Sequence, residues 1–409
     1  MRVCVLGAGI VGLATAYELN RTGHEVTVID RATPGSGASG GNGAQLSYSY
    51  VQPLADPSIW AQLPKLLLSP SSPLKIRPQL DVHQWRWGLQ FLKACNAATS
   101  RSTTIALLQL AFESRQGFDV MLAKEKLAVD FSSTGKLVLF SSAASFDAAK
   151  KQMQMQRELG SVQEAVSAER CIEIEPALAS YQPNITGAIH TQSECAADCQ
   201  KTCDGLQALL ARRGVQFFLD TPIDTIKVSN RKVVAITTAK GDIEADQYVM
   251  ALGAISAPLA RQLGVHLPIY PLKGYSITVE VNEQPSCAPM VSVTDSARKV
   301  VFARIGSRLR VAGMAELGGY DTQVVPKRIE SLKASTQALF PNCSDFAELH
   351  PWAGLRPATP TALPLIGKHP SGPSNLLFNV GHGALGFTLA FGSAARIERE
   401  VENAEKGCS

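Results

Sequence analysis

The chain lacks what would mark a membrane-spanning, nucleic-acid-binding or disulfide-stapled protein. Among its 409 residues, no run reaches the roughly 18 uncharged apolar positions that a spanning helix needs. No run of five basic residues occurs, and 39 Lys plus Arg stand against 35 Asp plus Glu. A net charge of +4 without a basic stripe excludes a nucleic-acid groove. Nine cysteines are scattered from Cys4 to Cys408, an odd number with no secretory leader, so a disulfide framework is not expected. The apolar N-terminus is broken by glycines and no twin arginine precedes it, which points to a cytoplasmic location. Cys195, Cys199 and Cys203 have the i, i+4, i+8 spacing of one helix face. No fourth ligand or tighter pair accompanies them, so they read as small buried residues and no metal is expected. A charged fraction of only 18% fits a large buried core, and the length suits two domains.

What is present is concentrated at the start. Arg2 to Leu6 is a short apolar run that feeds into Gly7-Ala8-Gly9-Ile10-Val11-Gly12. A helical pattern follows with Leu13, Ala16, Tyr17 and Leu19 apolar, stops at Gly23, and gives way to a second strand, Glu25 to Ile29, ending in Asp30. Strand, G-x-G-x-x-G, helix, strand and acid in register form the dinucleotide fingerprint. Gly7 allows the tight turn, Gly9 lets backbone approach a pyrophosphate, and Gly12 permits close helix–strand packing. The amides of Ile10 and Val11 at the helix start would meet phosphate charge. Asp30 would take the ribose hydroxyls, and an acid here disfavours a 2′-phosphate. Arg31 beside it keeps that alternative open, although packing or capping at the adenosine end explains it better. The N-terminal position of the motif favours FAD over NAD.

Residues 35 to 57 are rich in Gly, Ser, Asn and Gln and nearly free of charge, a composition expected of backbone running close to a ligand. Between 60 and 100 lie Trp60, Trp85, Trp87 and the run Leu66 to Leu68. Segment 84 to 95 reads as an amphipathic helix with Arg86 and Lys93 beside aromatics, either an interfacial membrane helix or one packed into its own domain. Helices are expected over 101–126, 145–159, 198–214, 325–339 and from Gly386 to about Ala404. Strands are expected near 129–140, over 215–251 in five runs, and over 267–281 and 289–313. Parallel elements at both ends and in the middle, with antiparallel ones between, give an interleaved α/β (α+β) fold. It would combine a Rossmann-like FAD-binding domain with a second, mostly antiparallel sheet for the substrate. The expected boundaries are 1–57, 163–266 and 349–409 for the FAD-binding domain, and 58–162 and 267–348 for the substrate domain.

Several segments together resemble the FAD-dependent D-amino-acid oxidase superfamily, most closely the D-amino-acid dehydrogenase small-subunit type. They are "RVCVLGAGIVGLATAYELNRTGHEVTVIDR", "SGGNGAQLSYSY", "DCQ" at 198–200, "YPLKGYSITV", "RLRVAGMAELGGYD", "WAGLRPATPTALPLIG" and "NVGHGALGFTLA". Two departures, Thr361 where the family often has an acid and Phe387 where it often has Trp, put the substrate's identity in doubt. The resemblance implies oxidative deamination of a D-amino acid to a 2-oxo acid and ammonia, with hydride passing from Cα to flavin N5. A quinone or other carrier would accept the electrons, and peripheral membrane contact follows if that carrier is in the bilayer. Alternatives are a glycine, sarcosine or D-proline-type amine oxidase and a non-catalytic flavin-binding regulator.

Arg356 is the candidate carboxylate anchor, a planar fork in a nearly acid-free stretch, presented on a turn stiffened by Pro357. Tyr275 would add a second substrate contact, and Tyr48 or Tyr50 could close the pocket, although each could equally be a packed residue with a satisfied hydroxyl. His382 is either a flavin neighbour or structural. Ser39, Asn42, Gly43, Ala44, Gln45 and Leu46 would line the cofactor, with Ala251 and Gly253 beside the fingerprint. Gly381, Gly383, Ala384, Leu385, Gly386, Phe387 and Thr388 would bring backbone amides at the start of the last helix to the flavin pyrimidine. No catalytic base is evident.

Overall fold

A computed structural model describes residues 1–51, 53–60 and 74–406. In chain order the strands are β1 (Arg2–Leu6), β2 (Glu25–Ile29), β3 (Gln45–Leu46), β4 (Leu74–Ile76), β5 (Lys136–Phe140), β6 (Glu164–Val166), β7 (Gly187–Thr191) and β8 (Cys195–Ala196). They continue with β9 (Gln216–Phe218), β10 (Ile223–Ser229), β11 (Lys232–Thr238), β12 (Gly241–Ile243), β13 (Gln247–Met250), β14 (Tyr270–Glu280) and β15 (Ser292–Asp295). The last are β16 (Val300–Ile305), β17 (Arg308–Leu317), β18 (Leu349–Ala358), β19 (Leu365–Lys368) and β20 (Leu376–Val380).

Two large sheets organise the chain. The first is six-stranded, β19-β20-β13-β1-β2-β9, parallel except where β19 meets β20. Its strands read as continuous apolar runs because helices cover one face and the small β10-β11-β12 sheet with its neighbours covers the other. The second sheet, nine-stranded, runs β18-β14-β17-β16-β15-β5-β7-β6, with β4 added beside β17. It is mostly antiparallel, and the Pro326–Leu339 helix packs on its back.

The helices follow their sequence periods. Ala97–Glu125 starts on an Asn96 cap and crosses the last helix, Gly386–Lys406, where Phe118 stands edge-on between Phe387 and Phe391 at centroid distances of 5.9 and 5.5 Å. A Cβ at Gly392 would lie 2.5 Å from the Leu110 carbonyl, so only glycine permits that crossing. Burying each of these phenylalanines contributes about 1.5–3 kcal/mol.

The sheets redraw the expected boundaries. The 97–125 helix belongs to the core of the parallel-sheet unit, whereas β6, β7 and β18 belong to the nine-stranded sheet. Periodicity shows how far an element extends but not which sheet receives it. The expected strand over 129–140 is confined to β5, and Cys195 lies on β8, so only Cys199 and Cys203 share the Cys199–Arg212 helix. All eight described cysteines are free and buried, and no metal-binding cluster occurs among the described residues. The Leu66 to Leu68 run lies outside the described residues.

Candidate active site

The fingerprint closes against the end of β13. Gly7 adopts φ +117° and donates its N–H to the Ile29 carbonyl at 2.8 Å. A Cβ there would sit 2.5 Å from the Ala251 carbonyl, and one on Gly12 would run into the Gly7 carbonyl. Ala251 in turn donates to Leu6 O at 2.8 Å, and Gly253, at φ +59°, begins the next turn. Asp30 accepts from the amides of Ala8 (2.7 Å) and Ala32 (3.0 Å), so it fixes the turn itself as well as offering lone pairs to a ribose. Burial raises its carboxyl above the ordinary range, opposed by those amides. Arg31 is exposed.

Ser39 reaches over from the following loop to accept the Ile10 N–H at 3.0 Å. The amides of Gly9, Val11 and Gly12 have no partner among the described residues, and the helix start carries no side-chain cap. Orphan donors at a dipole end, in a cradle where a Cβ would collide, fit a dinucleotide pyrophosphate.

From Ser39 the loop crosses the front of the nine-stranded sheet. Asn42 Oδ1 accepts the Ala44 N–H at 2.8 Å and holds Ala44 at φ +57°, while a Cβ on Gly43 would lie 3.0 Å from Val301 Cγ2. Gln45 donates to the carbonyls of Val293 (3.3 Å) and Phe302 (3.1 Å). Leu46 is fully buried and pairs with Cys195, and Ser47 donates its amide to Thr388 Oγ1 at 3.2 Å. Asn42, Gly43, Ala44, Gln45 and Leu46 therefore form one continuous backbone path between the sheet and the last helix.

Beyond this point the tyrosines depart from expectation. Tyr48 lies under the Arg115 guanidinium, 5.1 Å from its ring, and Tyr50 under Lys136 Nζ at 4.6 Å. Lys136 is on β5, with four strands between it and Arg356 on β18, and Arg115 is on the Ala97–Glu125 helix, so neither tyrosine is placed beside that arginine. Buried Glu194 accepts the amides of Tyr48 (2.8 Å) and Ser49 (2.7 Å) and carries the chain past the site.

Arg356 lies within β18, two residues before its end, paired opposite Leu272, and not on a turn. Pro351 and Pro357 are tolerated because β18 is an edge strand. The guanidinium lies over the cross-strand glycine pair Gly274–Gly354: a Cβ on Gly274 would strike it, and one on Gly354 would strike the Trp352 ring. Its Nη1 donates to Met314 O at 2.8 Å, and no carboxylate reaches it among the described residues. Burial alone pulls its pKa down. A planar donor fork with most of its donors open, seated over Gly274 beside the Trp352 ring, is suited to a ligand carboxylate.

Tyr275 falls on the opposite face of β14. Strand alternation puts Leu272, Gly274 and Ser276 with Arg356, whereas Tyr275 joins the rear core and donates to Glu316 Oε2 at 2.9 Å. The tyrosine that shares the Arg356 face is Tyr270, opposite Ala358, packed against Trp87 and His83. Parity counted from Gly274 would have found it. Arg310 is a second buried cation that sequence reading missed; its signal was an alternating Arg-Leu-Arg in an otherwise apolar strand.

The last helix begins at the edge of this cluster. His382 forms a bridge with Ala358, is 3% exposed, and burial lowers its pKa to about 3, so its imidazole is neutral. Its Nε2 has no partner among the described residues. Gly381 (φ +86°) and Gly383 (φ +57°) make the turn, with open space where a Gly383 Cβ would be. Leu385 donates back to His382 O, Ala384 lies between in the same turn, and Gly386 starts the helix whose Phe387 and Thr388 are buried. The structure thus brings together Arg356, His382, the 39–47 loop and the start of the last helix. A cavity of about 480 Å³ lies elsewhere, between Glu175, Asn282 and Arg304, and its carboxylate is already bonded to three backbone amides.

Comparison with known proteins agrees with this geometry. Residues 2–399 match the family model described as FAD dependent oxidoreductase (DAO). A "D-amino acid dehydrogenase 2" of Ralstonia nicotianae is 46% identical, over 97% of this chain and 95% of its own length. A protein of the same name from Pseudomonas aeruginosa is 43% identical, over 98% and 94%. Among solved structures, glycine oxidase from Geobacillus kaustophilus shares the fold, with a TM-score of 0.77 at 21% identity over 98% of this chain and 95% of that one. L-proline dehydrogenase from P. horikoshii does likewise, with a TM-score of 0.76 at 18% identity over 98% and 93%. The turn that leaves three amides free, the Arg356 guanidinium without an acid and the match along almost the whole chain agree: this protein belongs to the DAO family of FAD-dependent oxidoreductases.

Proposed function

We propose that the protein is a D-amino acid dehydrogenase. Its substrate loses two electrons and two protons to become an imino acid, which water converts to a 2-oxo acid and ammonia, and a quinone or other carrier finally takes the electrons. Bound FAD supplies the two-electron acceptor; the protein supplies binding and orientation. The fingerprint amides of Gly9, Val11 and Gly12 would hold the pyrophosphate and Asp30 the ribose. The observation that carries the reading is Arg356, a guanidinium bonded only to a backbone carbonyl and facing the side of the sheet that the 39–47 loop covers. It would clamp the substrate carboxylate with two parallel bonds and so fix the orientation of Cα. His382, held neutral, adds no competing charge beside that anchor. The names of the relatives support the D-enantiomer.

The test is anaerobic mixing of the purified yellow protein with D- and L-amino acids, glycine and sarcosine, followed at the flavin absorbance. Bleaching by D-amino acids is expected. Bleaching only by glycine or sarcosine would transfer the reading to an amine oxidase, and no bleaching by any of them would overturn it. Reoxidation of the reduced enzyme by a quinone analogue, faster than by air, would identify the acceptor class.

A second element of the reading is peripheral contact with the inner face of the cytoplasmic membrane. No helix among the described residues is long and apolar enough to cross a membrane. The Val82–Ala94 helix instead exposes Val82, Trp85 and Leu89, with Leu80 and Trp60 nearby and Arg86 and Lys93 at the surface. Trp87 does not belong to this patch: it is 4% exposed and donates to Ala358 O at 2.8 Å. Flotation with anionic liposomes should carry the wild type and not Trp85→Glu/Leu89→Glu. A wild type left in the soluble fraction would remove membrane contact and leave the dehydrogenase reading intact.

A further inference from the structure

The stretch Gly40-Gly41-Asn42 hangs from the sheet by three consecutive carbonyls. Arg310 Nη1 donates to Gly40 O at 3.1 Å and to Asn42 O at 2.8 Å, and Ser276 Oγ donates to Gly41 O at 2.7 Å. Arg310 is itself set in place by its Nε, which donates to Thr278 Oγ1 at 2.7 Å. Both anchors project from the same side of the sheet, since Ser276 and Thr278 alternate with buried Ile277 and Arg310 pairs opposite Thr278.

In a trans peptide the carbonyl and the following N–H point in opposite directions. Three carbonyls drawn down onto the sheet therefore send the amides of Gly41, Asn42 and Gly43 away from it. Asn42 N–H makes a long bond to Ser39 O at 3.4 Å, while the amides of Gly41 and Gly43 have no partner among the described residues. Side chains could not occupy these positions: a Cβ on Gly41 would collide with the Trp352 ring, and one on Gly43 would crowd Val301.

Arg310 is also in electrostatic debt. It is 7% exposed, and burial pulls its pKa down. No carboxylate lies within ion-pair distance among the described residues; Asp198, the acid whose charge reaches it, is bonded to Arg308 at 2.8 Å. A buried cation without an anion is costly unless a ligand completes it.

We propose that Arg310 and Ser276 are positioning residues that preset the cofactor-ring loop. They direct the Gly41 and Gly43 amides to the flavin and place an uncompensated positive charge beneath it. This rests on the flavin reading of the site. The pair binds no substrate; it acts through the backbone it holds and through its charge.

The test uses apoprotein of the wild type, Ser276→Ala, Arg310→Lys and Arg310→Met, titrated with FAD and followed by flavin fluorescence. Amide exchange of residues 40–44 in the apo forms and the reduction potential of each reconstituted protein complete it. Ser276→Ala loses one bond and should weaken FAD about threefold to tenfold. Both Arg310 variants should weaken it more, on the order of tenfold to a hundredfold, with Lys recovering part of the loss. Exchange at 40–44 should quicken in all three, and only Arg310→Met should make the potential markedly more negative, because it alone removes the charge. Arg310 variants that match the wild type within twofold in affinity, with unchanged exchange, would overturn the proposal. If Arg310→Met does not fold, Ser276→Ala decides through loop exchange, and unchanged protection there rejects it. Failure of wild-type apoprotein to bind FAD at all would instead overturn the flavin reading.

Discussion

The two sides of β14 carry the same kinds of residue under opposite rules. On the rear side the cations around β14 have acids: Lys273 meets Asp321 at 3.1 Å, and Glu316 takes Arg328 at 2.7 Å and Arg77 at 3.5 Å as well as the Tyr275 hydroxyl. On the side that the cofactor loop covers, Arg356, Arg310 and, further along the sheet, Lys136 are bonded only to carbonyls and hydroxyls. Charge on the first side is neutralised within the fold. On the second, Arg308 has Asp198 and Asp130, whereas these three cations have no acid within ion-pair distance among the described residues. On the proposed reading the first face serves stability and the second ligand binding, and each can be challenged separately.

The strongest challenge is to the paired face. Glu316→Ala would strand buried Arg328 without its acid, and breaking a buried pair in this way costs about 3–5 kcal/mol. Urea unfolding should show that loss, while the folded fraction keeps its substrate KM. A KM that rises with intact stability would mean that the rear face reaches the site. On the open face, Arg356→Lys should do the reverse. A point ammonium cannot reproduce the planar clamp, so kcat/KM for the best D-substrate should fall by about 2–4 kcal/mol in transition-state terms, roughly 30- to 1,000-fold. Its melting temperature should stay near that of the wild type, since only the bond to Met314 O is lost from the fold.

Tyr275 shows where sequence reading stops. The fingerprint was legible because strand, glycines, helix and acid are contiguous, and each makes its own local contact. The extents of the helices followed from their periods in the same way. Side choice did not. The segment from Tyr270 to Glu280 has ten consecutive buried residues, so no polar alternation marks which face meets the ligand. Acid-free surroundings make Arg356 a candidate, yet the turn expected at Pro357 is an edge strand, because a proline reads as a bend when the strand's free edge is unknown. Arg310 has a sequence signal in the alternating Arg-Leu-Arg of its strand, but its role is not legible there, since the loop carbonyls it holds are more than 260 positions away in sequence. Tyr275→Phe tests the corrected placement. It should lose a hydrogen bond to a charged acid, about 1.5–3 kcal/mol of stability, and leave KM and kcat unchanged. A tenfold rise in KM without destabilisation would return Tyr275 to the site.

The finest test is the cation whose charge can be switched off. Lys136 is 3% exposed; its Nζ donates to Ser47 Oγ at 2.8 Å and lies over the Tyr50 ring, and burial lowers its pKa to about 8, with Glu194 opposing. A lysine whose folded pKa is depressed is penalised in its charged form. Below about pH 8 that penalty is fully present, and it is relieved as pH rises toward the unfolded value near 10.5. Stability from urea unfolding should therefore increase by on the order of 1–2 kcal/mol between pH 7.5 and 9.5, a range chosen to stay below the titration of Tyr50, whose hydroxyl burial pushes upward. Lys136→Met should flatten that slope and be at least as stable as the wild type at pH 7.5, because a similar volume is kept and the buried charge is gone. If the variant is instead less stable at pH 7.5 by more than the lost hydrogen bond explains, Glu194 is acting as the partner acid. Lys136 would then belong with the neutralised cations, and the unpaired ones would narrow to Arg310 and Arg356, the two proposed to hold the loop and to meet the substrate.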